Sequence, residues 1–269
     1  MIIDSHSHLN FEEFNDDWQQ VVADCQKKDI WIINVGSQLA TSKKAAEISD
    51  SYNKGVYAAV GLHPIHVSGS SFSPEAFNVD EYKVLLSHYE KIVAVGETGL
   101  DFFHDQNNAD NQKKVLIKHI KLAGEFELPL ILHSRNSKDR KRDAYNEILD
   151  IIAVELRANK KLRGVIHCFG GNAKQAEAFL KLGFYIGFTG IITFAKGNDL
   201  VGVVQSVPLD RILIETDCPY LAPEPYRGKR NIPQYVEFVA QKIAEIKKIN
   251  YNNVRKQTVE NAIQLFNLN

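Results

Sequence analysis

Cysteine is scarce: Cys25, Cys168 and Cys218 stand far apart in 269 residues. An odd number of thiols at scattered positions makes no disulfide framework and fits a reducing compartment. Long apolar runs are missing as well. Stretches such as Ile30–Ile33 and Leu130–Leu132 fall far below the roughly 20 residues that a membrane-spanning helix needs. The opening Met-Ile-Ile-Asp carries no basic region ahead of an apolar stretch, so no secretory signal is read there. Net charge is nearly absent: 32 Lys+Arg against 33 Asp+Glu give −1, which excludes a globally basic nucleic-acid coat and leaves room for a local patch. No Pro/Gly/Ser linker, sequence repeat or low-complexity tract divides the chain. These absences predict a soluble, cytoplasmic protein with no membrane association and no obligate protein partner, folded as one domain over residues 1–269.

Several chemistries are missing too. The chain holds no phosphate-cradling P-loop, no His-Glu-x-x-His helix and no Gly-x-Ser-x-Gly elbow. What it does hold is ordinary globular composition, 44% apolar and 24% charged. A chain of this size buries about three quarters of its unfolded surface, so a full core is available without staples.

Short apolar runs recur, each followed by a polar or glycine-containing break: Ile2–Asp4, Trp31–Val35, Val56–Val60, Ile92–Gly96, Leu130–His133, Gly164–His167, Phe184–Gly187 and Ile212–Glu215. Most intervals carry helical periodicity, seen in Asn111–Glu127, Asp143–Leu156 and Ala173–Leu182, and twice more in Pro233–Ile249 and Asn253–Leu268. Eight buried-looking strands alternating with helices predict parallel strands joined by crossovers. Eight closes a (β/α)8 TIM barrel, expected to be slightly distorted. An open doubly wound sheet is disfavoured, because Ser5-His6-Ser7-His8 stands where a glycine-rich turn would follow the first strand.

In such a barrel reactive groups project from the C-terminal strand ends. Read in turn, those ends offer His6 and His8, then His63, Glu97, His133, His167 and Asp217. His6 and His8 are two apart, so on an extended strand both face the barrel mouth. Taken singly, each histidine reads as an ordinary core or surface residue. Together, imidazoles and carboxylates at one rim would crowd each other unless cations held them. His6, His8, Glu97, His133, His167 and Asp217 make six candidate ligands, which exceed one tetrahedral site, so two metals sharing a carboxylate fit better. A hydroxide bridging two cations is a nucleophile at neutral pH, which suits hydrolysis of a phosphodiester or an acyl bond.

These residues lie in motifs that resemble the TatD-related metal-dependent deoxyribonucleases, a branch of the amidohydrolase-like barrels. The motifs are Ile3-Asp4-Ser5-His6-Ser7-His8-Leu9, Gly61-Leu62-His63-Pro64, Val95-Gly96-Glu97-Thr98-Gly99-Leu100-Asp101 and Leu132-His133-Ser134-Arg135. They continue with Val165-Ile166-His167-Cys168-Phe169-Gly170-Gly171, Phe188-Thr189-Gly190, Leu213 through Pro223, and Arg227-Gly228-Lys229-Arg230-Asn231. The resemblance runs nearly end to end. It implies that His6, His8 and Asp217 serve one metal, His133 and His167 the other, and that Glu97 bridges them. It further implies that Asp217 orients or deprotonates the attacking water, with Mg or Mn supporting nuclease activity. Four imidazoles lean towards Zn or Mn by ligand preference. The chain departs from the family pattern at Thr98, at Phe102-Phe103-His104 and at Asn136, all near the expected substrate contacts rather than at the metal ligands.

The expected catalytic residues are therefore Asp217, Glu97 and His63. His63 hydrogen-bonds the phosphate or the nucleophile, or else is a turn histidine packed by Pro64. Arg135, Arg227 and Asn231 are the expected substrate contacts, Arg135 through a charge-assisted pair with a phosphate oxygen. The cluster Arg227–Arg230 overhangs the mouth, whereas Lys138–Arg142 reads as solvated surface. Phe102, Phe103 and Tyr220 either stack on bases or pack the rim. Asp4 either supports a ligand from behind or ends its strand. Cys168 and Cys218, next to candidate ligands, are expected to turn away from the site as packing residues. The expected substrate is DNA, single-stranded or with free ends. The alternative is an acyl or amide hydrolase such as a D-aminoacyl-tRNA deacylase, since one bridged hydroxide attacks carbon as readily as phosphorus. A decayed, non-catalytic barrel would have lost ligands, and all six are present.

Overall fold

The structure, a computed structural model, describes residues 1–194 and 199–269. Each of the eight apolar runs is a strand: β1 (Ile2–Ser7), β2 (Ile30–Val35), β3 (Val56–Val60), β4 (Ile92–Asp101), β5 (Leu130–Arg135), β6 (Gly164–Ile166), β7 (Tyr185–Phe188) and β8 (Ile212–Ile214). Every neighbouring pair is parallel and the spatial order is the chain order, β1 through β8. Helices fill the crossovers: α1 (Trp18–Lys27), α2 (Leu39–Asp50), α3 (Val79–His88), the short α4 (Phe102–Asp105), α5 (Ala109–Glu125), α6 (Ala144–Ala158), α7 (Ala173–Lys181) and α8 (Asp199–Ser206). The chain ends in α9 (Val236–Lys247) and α10 (Tyr251–Phe266). The fold is a (β/α)8 TIM barrel, as the strand count predicts. Among the described residues no helix is long and apolar enough to cross a membrane.

Side-chain alternation along each strand splits the core into two layers. Ile2, Ile32, Val56, Ala58, Leu130 and Ile212 point outward and pack on the helices. Ile3, Ile33, Tyr57, Val93, Ile131, Val165, Tyr185 and Leu213 fill the barrel itself, joined there by Val259, Ala262, Leu265 and Phe266 of α10. Tyr57 and Tyr185, near the starts of their strands, donate to the Asn269 carbonyl (2.5 Å) and to Gln264 Oε1 (3.2 Å). The last helix thus covers the N-terminal end of the barrel, and the opposite end is the open one.

Closure between β8 and β1 relies on few backbone bonds. Asp217 N donates to His6 O (2.9 Å), and His8 N donates to Cys218 O (2.9 Å). Side chains add to them: Ser5 Oγ donates to the Ile214 carbonyl (3.0 Å), and the buried Asp4 carboxylate accepts from Thr216 N (2.8 Å) and Thr216 Oγ1 (2.6 Å). Asp4 Oδ1 also accepts from His6 N (3.3 Å), so it both closes the barrel and steadies the backbone of a candidate ligand.

Strand β4 runs to Asp101, five residues past the expected Gly96. Its pairing with β5 skips register between Val95 and Thr98, a bulge that turns Glu97 into the barrel mouth. Gly96 and Gly99 allow it. Both have φ near 150° (149° and 147°). A Cβ on Gly99 would stand 2.0 Å from the His133 carbonyl oxygen, so any side chain there would push β4 off β5.

Candidate metal centre

At the open end seven side chains converge from six strand ends. His6 on β1 and His8, one residue past its end, bring their Nε2 atoms to 3.1 Å. His8 Nδ1 lies 2.7 Å from the Val35 carbonyl, which can only accept, so that nitrogen carries the proton. In the neutral ring the lone pair is then on Nε2, 3.2 Å from Asp217 Oδ1. His8 is held flat by Phe11, whose ring centroid is 4.3 Å away. Asp217 adopts a left-handed φ of 57°, which aspartate tolerates better than most residues.

Glu97 is central. Its Oε2 lies 3.4 Å from His6 Nε2 and 4.0 Å from His8 Nε2. Its Oε1 lies 2.8 Å from His133 Nδ1, 3.4 Å from His63 Nε2 and 3.6 Å from His167 Nε2. One oxygen faces the histidines of β1 and the other faces those of β5, β6 and the β3 loop. His6 and His167 stack with centroids 3.6 Å apart, closing the group. His63 is the turn histidine packed by Pro64, with Nε2 facing the centre. Its Nδ1 accepts from Ile65 N (3.2 Å) at the head of a turn begun by Pro64, which leaves Nε2–H as a donor towards Glu97.

The charges show what the cluster is built to hold. Burial alone would raise the Glu97 carboxyl, but the His63 and His167 charges and the hydrogen bonds of His133 and His6 hold it well below the usual range. Asp217 is also lowered, burial again being outweighed, here by His167 and His8. Burial opposes the charged form of His133, yet Asp101 and Glu97 push it up to about 9. His167 likewise overcomes burial through Glu215, Glu97 and Asp217 and rises to about 10. His63, with burial dominant, falls to about 4, and burial with the His167 charge lowers His6. The carboxylates therefore retain two protons on imidazoles that would ordinarily release them near neutrality. Buried lone pairs and carboxylates facing one another around trapped positive charge fit divalent cations. A three-donor group that could hold an ion is His6, His8 and Glu97, with ligand atoms mutually within 4.8 Å.

Sequence reasoning missed two acids here. Glu215 is buried, with Oε1 3.1 Å from His167 Nδ1 and accepting from Cys168 N. Asp101 is buried with Oδ2 3.0 Å from His133 Nε2. Cys168 does not turn away as strand alternation suggests. β6 ends at Ile166, Cys168 has a left-handed φ of 45°, and its thiol joins His167 and Asp217 in a three-donor group. Cys218 is fully buried, as expected of a packing residue.

The rim separates the expected substrate contacts. Arg135, exposed at the end of β5, lays its guanidinium 3.9 Å from the Phe103 ring centroid, and Lys138 Nζ approaches the same ring at 4.6 Å. Phe103 is thus a shelf for cations rather than an open stacking face, and Phe102 is buried under Arg142. Tyr220, 49% exposed, keeps a free face on the opposite rim. Arg227 stacks on Phe194 at 3.5 Å. Neither Arg135 nor Arg227 has a hydrogen-bond or ion-pair partner among the described residues. Asn231 differs from expectation. It is completely buried, donates to Thr216 O (2.8 Å) and Tyr220 O (2.6 Å), and braces the loop behind Asp217 instead of facing the mouth. Arg230 is similarly engaged with Asp17 and the Glu13 carbonyl. Within Lys138–Arg142, Arg142 is tied to Glu147 and Gln106 while its neighbours are exposed, largely the solvated surface expected.

A (β/α)8 barrel with imidazoles and carboxylates massed at its C-terminal mouth defines a metal-dependent hydrolase. The chain belongs to the family described as TatD related DNase, which matches residues 3–267. It is 38% identical over 270 residues to YabD of Bacillus subtilis, an uncharacterized metal-dependent hydrolase, covering 100% of both chains. It is 32% identical to YcfH of Escherichia coli K12, another uncharacterized metal-dependent hydrolase, over 99% of this chain and 96% of that one. The crystal structure of YjjV, a TatD homologue from E. coli K12, superposes with a TM-score of 0.87 at 27% identity. That superposition covers 100% of this chain and 98% of the other.

Proposed function

We propose that this protein is a deoxyribonuclease that cleaves phosphodiester bonds of DNA, acting on single strands or free ends, with two divalent ions of Mg, Mn or Zn. The observation that carries the two-ion reading is Glu97, whose oxygens face separate groups of histidines. His6, His8 and Asp217 would hold one ion, His133 and His167 the other, with Glu97 between them. When bound, such ions make water acidic enough to supply a nucleophile at neutral pH and polarise the phosphoryl oxygen.

The chain's own groups do the rest. Asp217 stays ionised and presents a partly open carboxylate that orients the attacking water and accepts its proton. His63, neutral at pH 7, offers its Nε2–H beside Glu97, placed to donate to a phosphate oxygen. Arg135 and Arg227, each stacked on a phenylalanine and without a carboxylate partner among the described residues, keep their guanidinium edges available for neighbouring phosphates. Local cations suffice for this, so the near-zero net charge is no obstacle.

The test compares a single-stranded oligonucleotide, closed circular DNA and a D-aminoacyl-tRNA with metal-depleted protein reloaded with each metal. Cleavage of the open strand that stops with chelator and with Glu97→Ala supports the proposal. Deacylation without DNA cleavage would reverse it in favour of the acyl reading.

A further inference from the structure

Among the acids buried at the barrel mouth, Asp101 has no part in that scheme. The acceptors behind the histidines suggest one. His8 Nδ1 turns outward and hydrogen-bonds the Val35 carbonyl (2.7 Å), and His167 Nδ1 turns outward to within ion-pair distance of Glu215 Oε1 (3.1 Å), without hydrogen-bond geometry. In both, Nε2 is left facing the centre. His133 is reversed: Nδ1 faces the centre, 2.8 Å from Glu97 Oε1, and Nε2 faces outward, 3.0 Å from Asp101 Oδ2. An outer acceptor fixes the proton on the nitrogen it meets and leaves the lone pair on the other.

Asp101 is itself tightly held. Its Oδ1 accepts from His104 N (2.9 Å), and its Oδ2 lies 3.0 Å from His104 Nδ1. Its backbone is clamped by Gln112, which accepts from Asp101 N (2.9 Å) and donates to Asp101 O (3.1 Å). The line His104, Asp101, His133, Glu97 runs from the surface to the centre.

We propose that Asp101 is a positioning residue that keeps the proton of His133 on Nε2 and so delivers its Nδ1 lone pair to the second ion, with His104 anchoring Asp101 from the solvent side. The proposal rests on the two-ion reading. Asp101→Asn preserves size and one oxygen. With its amide nitrogen towards His133, the ring proton must move to Nδ1 and the lone pair is aimed outward. With the amide reversed, the nitrogen opposes the His104 N–H.

The experiment titrates metal-free protein with Co2+, following calorimetry and the visible spectrum, with thermal unfolding of the metal-free forms as the check on folding. Wild type is expected to take up two equivalents. Asp101→Asn should keep one at wild-type affinity and bind the other about 10- to 100-fold more weakly. His104→Ala, at an exposed position, should weaken the same ion by a smaller factor. A folded Asp101→Asn protein that binds both ions like wild type, or loses both alike, overturns the proposal. If Asp101→Asn does not fold, an unchanged second affinity in His104→Ala overturns it. If wild type takes up a single ion, the two-ion reading fails, and the Co2+ spectrum still decides the role of Asp101. A spectrum altered by His104→Ala or Asp101→Asn supports it, and an unaltered one refutes it.

Discussion

Metal uptake should expel protons, and the number follows from the site. His133 titrates at about 9 and His167 at about 10, against 6.5 for an ordinary imidazole. At pH 7 the protonated forms then outnumber the neutral ones about 100 to 1 and about 1000 to 1. His63 and His6 are shifted the other way and release nothing. Loading both ions at pH 7 should therefore free about two protons, and the overall apparent binding constant should climb about a hundredfold per pH unit between pH 6 and 8. Calorimetry in two buffers of different ionisation heat at one pH reads the protons directly. Stability of the metal-free protein should run the opposite way. Both folded values lie above the unfolded one, so this contribution is complete below about pH 6.5 and is lost as pH rises through about 9 and 10. Release of less than about half a proton, with affinity flat across that range, would refute the reasoning.

Two substitutions probe the frame around the centre. Thr216→Val keeps the shape of the residue but strips the hydroxyl that donates to Asp4 Oδ2 at 2.6 Å. An unsatisfied buried acceptor costs about 1–3 kcal/mol, which lowers the thermal midpoint by about 3–10 °C for a chain of this size. A midpoint within a degree of wild type would show that this hydroxyl adds nothing to the closure, which would then rest on the Thr216 N–H to Asp4 bond and the backbone bonds. Gly187→Ala places a methyl 2.8 Å from both oxygens of Glu215. Displacing that carboxylate should weaken metal uptake about tenfold through His167 while the barrel still folds, and an unchanged titration would count against Glu215 as the brace of His167.

The barrel and the clustering of the candidate ligands were legible because both depend on local periodicity. Apolar runs mark strands, and the C-terminal ends of parallel strands meet at one face, so His6, His133, His167 and Asp217 converge whatever the helices do. Residues whose role depends on who stands opposite were not legible. Arg230 and Asn231 look like a phosphate-binding loop until Asp17, some two hundred residues earlier, and the carbonyls of Thr216 and Tyr220 come into contact with them. Glu215 fits behind His167 because Gly187, on the neighbouring strand, has no side chain. Asp101 lies in a motif quoted for Glu97, but the bulge at Gly96 shifts the alternation by which its direction would be read. Cys168 was misplaced for a similar reason, since its strand stops two residues earlier.

The joint between the first and last strands has a consequence for how the chain behaves when loaded. His6 and His8 lie on one side of that joint and Asp217 on the other, more than two hundred residues apart in the chain, and the backbone bonds across it are few. An ion held as proposed, from both sides, would act as a rivet between the two ends of the sheet. It would close the longest loop in the fold without a covalent cross-link, in a protein whose three cysteines are all unpaired. Metal occupancy and barrel integrity would then be one equilibrium, and depleting the metal would loosen the wall that carries these side chains.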